Sequence, residues 1–120
     1  MKLKNVIVYG ILGKKLYDLY REQSCPPAIL NDQLNKKNQM IAVNSYSYSY
    51  TNTQKQCEHC VAFDVSPRIL SCMSVEDRKK YGYCWMHHFK AEQQKTCSTW
   101  VGNQPITTNK DSYDWQKRYT

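Results

Sequence analysis

Apolar positions recur at Val8, Leu12, Leu16 and Leu19, with Tyr9 and Tyr20 alongside. That spacing predicts a helix over residues 5–23. Gly10 and Gly13 each weaken it by about 1 kcal/mol relative to alanine. A short strand at Val6–Tyr9 followed by a helix from Lys14 to Gln23 is therefore the alternative. Pro26 and Pro27 end the element and bias Cys25 towards an extended backbone. Pro27 can open a short helix through Leu34, and Asn35-Lys36-Lys37-Asn38 reads as a polar turn. From Met40 the period changes to two: Ile41 and Val43 alternate with Ala42 and Asn44, then Tyr46, Tyr48 and Tyr50 alternate with serines. This predicts a strand over Met40–Tyr50 with its tyrosines on one core-facing side. The same stripe could stack nucleobases, but no basic residue lies between Asn38 and Gln54.

Further along, Val61–Val65 predicts a brief strand or turn, and Ser66-Pro67 opens a loop or short helix. Ser74 ahead of Glu76 and Asp77 predicts a helical turn near 75–80 with Ser74 as its cap. Tyr81-Gly82-Tyr83 leads tightly into Cys84, and past Trp100 the chain turns polar, with Tyr113 and Trp115 as candidate anchors for a mobile tail. The expected fold class is α+β: a small cysteine-rich domain with an N-terminal helical region on a short antiparallel sheet and a loop-rich metal module. Its expected segments are 1–56 (helix and Tyr-rich strand), 57–100 (cysteine module) and 101–120 (polar tail).

Composition explains why a metal matters here. Leu, Ile, Val and Phe make up only 22 of 120 residues, under the roughly one-fifth floor of chains with an aliphatic core. A core this lean calls for a staple such as a metal, disulfides or a partner. The net charge of +7 is spread along the chain with no basic tail; it permits nucleic acid or an acidic partner without selecting either. No signal peptide is visible and nothing approaches the roughly twenty apolar residues of a membrane span. The expected location is the cytoplasm, where cysteines are more often ligands than disulfides.

Cys57-Glu58-His59-Cys60 is a two-residue knuckle that can turn two sulfurs towards one centre. Two completions compete. Adding Cys84 and Cys97 gives four thiolates, with gaps of 2, 23 and 12 residues. One knuckle plus two separate cysteines suits an iron–sulfur cluster better than a ribbon-type zinc site. Phe63, Trp85 and Trp100 are then candidate screens against water. Alternatively, Cys84-x-x-His87 forms a second knuckle, and Cys57, Cys60, Cys84 and His87 make a Cys3His zinc site. His88 is another candidate in that set. Cys25 and Cys72 are expected as free thiols. No paired-carboxylate, phosphate-loop or nucleophile signature stands out, so no enzyme activity is expected.

The run Cys-x-x-Cys-x-x-Phe, then Gly-Tyr-Cys, then Thr-Cys-x-x-Trp resembles the cysteine framework of high-potential iron–sulfur proteins. It is similar also to the small cluster-bearing subunits of some glycyl radical enzymes. The resemblance covers residues 57–100. It implies a 4Fe–4S cluster held by Cys57, Cys60, Cys84 and Cys97, and an accessory or electron-transfer role beside a redox partner or larger subunit. The competing expectation is a zinc-stapled module that binds nucleic acid or protein.

Overall fold

The computed structural model describes residues 25–119. The helix expected over 5–23 lies outside them. The described chain is α+β. Helix α1 spans Pro27–Leu30 and α2 spans Asp32–Tyr46; strand β1 is Ser49–Tyr50. A 3-10 turn at Cys57–His59 leads to β2 (Phe63–Asp64), then α3 (Pro67–Leu70) and α4 (Val75–Arg78). A hairpin of β3 (Tyr81–Cys84) and β4 (Phe89–Glu92) follows, then β5 (Lys95–Thr96) and α5 (Asn109–Arg118).

Strands β2, β3 and β4 form an antiparallel sheet in that order, with Phe63 opposite Cys84 and Cys84 opposite Phe89. Strand alternation sorts the core into two layers. Phe63, Phe89 and Ala91 join one cluster with Cys57, Cys60, Ala62, Ala42 and Tyr48, and Cys84 packs against it. Tyr83 and Trp85 join the other, with Ala28, Ile29, Ile69, Met73 and Ile106. Gly82 sits on the first face. A Cβ there would meet the Phe63 ring at 2.4 Å, so glycine lets the ring lie flat on β3.

The predicted strand over Met40–Tyr50 is instead mostly helix. Asn31 accepts a hydrogen bond from Leu34 N and caps α2, and Asp32 adds a favourable charge in the first turn. The helix runs through the expected turn at 35–38. Its inward stripe is Leu34, Asn35, Asn38, Ala42 and Tyr46, a helical spacing. Asn35 Oδ1 accepts from Lys90 N at 2.7 Å, and Asn38 Nδ2 donates to His88 O at 2.7 Å. The docking face thus uses amides and one alanine, while Met40, Ile41 and Val43 stay exposed. Ser47 ends the helix in the left-handed region at φ 56°. That break separates the tyrosines: Tyr48 is buried and Tyr50 is 67 % exposed. Only Ser49–Tyr50 is strand, paired with β5.

The tail is also a helix. Thr108 caps α5 by accepting from Asp111 N. Ser112 Oγ, fully buried, donates to the buried Asp64 carboxylate, which also accepts from Ser66 N and Trp85 Nε1, both at 2.8 Å. Arg68 Nη1 donates to Ser112 Oγ at 2.6 Å, and its guanidinium lies 4.0 Å over the Tyr113 ring. Tyr113 serves as an anchor as expected, and Trp115 packs partly buried against both clusters.

Cys25 and Cys72, expected as free thiols, form a disulfide. Pro26 and Pro27 start α1 directly after Cys25, and α1 and α3 share the second core cluster, which brings the two sulfurs together. The pair is 47 positions apart, a loop closure worth about 4 kcal/mol in the chain-entropy model.

The close fit at Gly82 gives a direct test. Gly82→Ala forces a methyl into the buried Phe63 ring, and overpacking of this kind costs about 1–3 kcal/mol. Urea unfolding should show a lower midpoint with an unchanged slope; an unaltered midpoint contradicts the packing described.

Candidate metal centre

Three parts of the chain bring sulfur to one place. The 3-10 turn holds the first pair: His59 N donates to Gln56 O and Cys60 N to Cys57 O, both at 2.9 Å. The sheet sends Cys84 to the same face as Phe63. Strand β5 ends one residue before Cys97, and Trp100 N donates to Cys97 O at 3.1 Å to close the turn that follows. Cys57, Cys60, Cys84 and Cys97 are all free thiols, and all four line one cavity. Phe63, Met86, Ala91 and Trp100 complete its wall. The first two cysteines are buried and the other two half-buried. The space they enclose is small, about 10 Å3, room for one water at most.

The thiols feel one another. Burial pushes the Cys84 thiol up to about 12, against backbone N–H groups of His87 and Met86 that favour its thiolate. Burial raises Cys57 as well, and Cys84, Cys97 and Cys60 add to the rise. Cys57 and Cys84 thus resist ionisation beside the other two sulfurs. A cationic guest reverses that cost, because metal binding requires thiolates and releases protons. The Met86 and His87 amides already point their donors at Cys84, in a turn where His88 takes φ 56°. The four thiols are therefore the candidate ligands for a sulfur-bound centre.

Of the expected site residues, Cys57, Cys60, Cys84, Cys97, Phe63 and Trp100 line the cavity, and Trp85, His87 and His88 do not. Phe63 and Trp100 border the cavity. Trp85 does not: it is one residue past Cys84, so its indole points to the opposite layer, where it donates to Asp64. Met86 and Ala91 border the cavity unannounced; nothing in their spacing marks them. His87 is not in the wall. Its Nε2 lies 2.6 Å from Thr99 Oγ1, and its ring packs 4.3 Å from Tyr46. Burial, and then the nearby His88, hold its pKa below the ordinary imidazole value. Thr99 Oγ1 is in turn 3.2 Å from Cys97 Sγ, so His87 reaches the sulfurs only through a hydroxyl. His88 lies apart, 3.4 Å from Tyr83 OH. Among the described residues no group of three or more His, Cys, Asp or Glu is placed to hold a metal ion, and no helix is long and apolar enough to cross a membrane.

No protein-family model matches the chain, and no curated protein or solved structure matches it.

The raised thiols set the pH response of the metal-free protein. Unfolded cysteine titrates near about 8.5. A folded thiol that holds its proton more tightly stabilises the fold below that pH and loses its contribution as pH rises towards the folded value. Thermal unfolding of metal-free protein should therefore show a falling midpoint above about pH 8.5, continuing towards the value of about 12 at Cys84. A midpoint that climbs over the same range contradicts the buried protonated thiols.

Proposed function

We propose that this chain is a small iron–sulfur protein, an accessory or electron-transfer module, whose 4Fe–4S cluster is held by Cys57, Cys60, Cys84 and Cys97. The observation that carries the reading is the convergence of these four free thiols on one apolar cavity. When bound, such a cluster supplies one-electron exchange. The chain's own residues do the rest. Phe63, Met86 and Trp100 line the sulfurs' cavity and would screen a bound group. The Met86 and His87 amides donate towards Cys84, the kind of outer contact that tunes a centre.

The choice between a cluster and one zinc ion rests on the fourth ligand. The zinc alternative with His87 as fourth ligand requires His87 to leave Thr99 and Tyr46. Its nucleic-acid-binding role has no further support in the arrangement. The partner implied is a protein, either a redox partner or a larger subunit. Four reduced thiols suit a cytoplasmic setting; the Cys25–Cys72 disulfide is the feature that argues against it.

Anaerobic expression followed by metal analysis and a visible spectrum decides the matter. The expected protein is brown, with about four irons per chain. Cys97→Ser should lose the colour and His87→Ala should keep it. A colourless protein with one zinc, retained in Cys97→Ser and lost in His87→Ala, overturns the proposal.

A further inference from the structure

Trp100 borders a second space on its other side. An open cleft of about 780 Å3 is lined by Thr53, Gln54, Lys55, His59, Trp100, Gly102 and Asn103. Its size lies within the roughly 300–1,000 Å3 of small-molecule sites. Lys55 brings an ammonium to the lining, Gln54, Asn103, Thr53 and His59 can each donate or accept, and no carboxylate lines the cleft. The Glu58 carboxylate lies 3.3 Å from His59 Nε2.

The aromatic wall is held in place. Trp100 Nε1 donates to Gln56 O at 2.7 Å. Gly102 lies against the six-membered ring, where an added Cβ would come within 2.4 Å. Backbone rather than a side chain therefore bounds the indole on that side, which leaves the cleft wide. Lys55 is exposed, so its ammonium is free to meet a ligand.

We propose that this cleft is a binding site for a planar aromatic anion of the flavin-phosphate kind. The ring stacks against Trp100, and the anionic group meets Lys55 and the neighbouring amide donors. The shared indole places that ring one side chain away from the cysteine cavity. Binding itself does not depend on what the cysteines hold.

The test is a fluorescence titration of the full chain with flavin mononucleotide, run with and without metal. Riboflavin supplies the ring without the phosphate, and inorganic phosphate supplies the anion alone. The expected result is saturable binding of one flavin mononucleotide per chain, with each partial ligand about tenfold weaker or more. Lys55→Glu should weaken it by about tenfold or more. Lys79→Gln, an exposed residue outside the cleft, should leave it unchanged. Trp100→Leu should abolish it, and the Lys55 arm stands if that variant does not fold. The proposal is overturned by absent or unsaturable binding. It is equally overturned if Lys55→Glu and Lys79→Gln weaken binding alike, which marks only the general attraction of an anion to a chain of charge +7. Either failure leaves the iron and zinc content of the cysteine centre, and hence the reading of it, untouched.

Discussion

Burial of four thiols against one another is the constraint on which the arrangement turns. Cys57 and Cys84 are more costly to ionise inside the wall than in water, and neighbouring thiolates raise that cost further. The fold nevertheless places them together from a 3-10 turn, a sheet strand and the loop after β5. It aims two backbone amides at Cys84 and closes the wall with Phe63, Met86, Ala91 and Trp100. With Cys57 and Cys84 held protonated, such a site gains most from a positively charged guest. It also relieves the shortage of aliphatic residues, because one of the two core clusters is assembled around cysteine.

The sheet keeps the two halves of the protein apart. Alternation sends Phe63 and Cys84 one way and Asp64, Tyr83 and Trp85 the other. On the second side the buried Asp64 carboxylate is satisfied by three donors, one of them from α5. Full satisfaction makes a buried carboxylate tolerable. It fastens a helix whose own sequence is too polar to dock by hydrophobic burial. The Cys25–Cys72 disulfide ties α1 to the same side. The sulfur-rich side therefore rests on a layer stapled by other means.

The gathering of four cysteines was the most legible part of the sequence, because cysteine spacing is local and survives without knowledge of the fold. Cys57, Cys60, Cys84 and Cys97 were readable from spacing, and Phe63 and Trp100 from their fixed offset after a cysteine. Trp85 was misplaced because the face it takes depends on where β3 runs, which adjacency to Cys84 does not reveal. Helix α2 was misread because its inward face carries Asn35, Asn38 and Ala42 while Met40, Ile41 and Val43 face out. A pattern search that equates apolar with buried inverts that face and finds a strand. The Cys25–Cys72 pair was hidden by its separation and by the expectation that a chain without a visible signal keeps its thiols reduced.

The central claim is that four sulfurs surround one polynuclear iron centre. X-ray absorption at the metal of anaerobically purified protein tests it most directly. The account predicts iron with a first shell of sulfur alone and a further shell of neighbouring iron. A single zinc with nitrogen in its first shell, or iron with no iron neighbour, contradicts it.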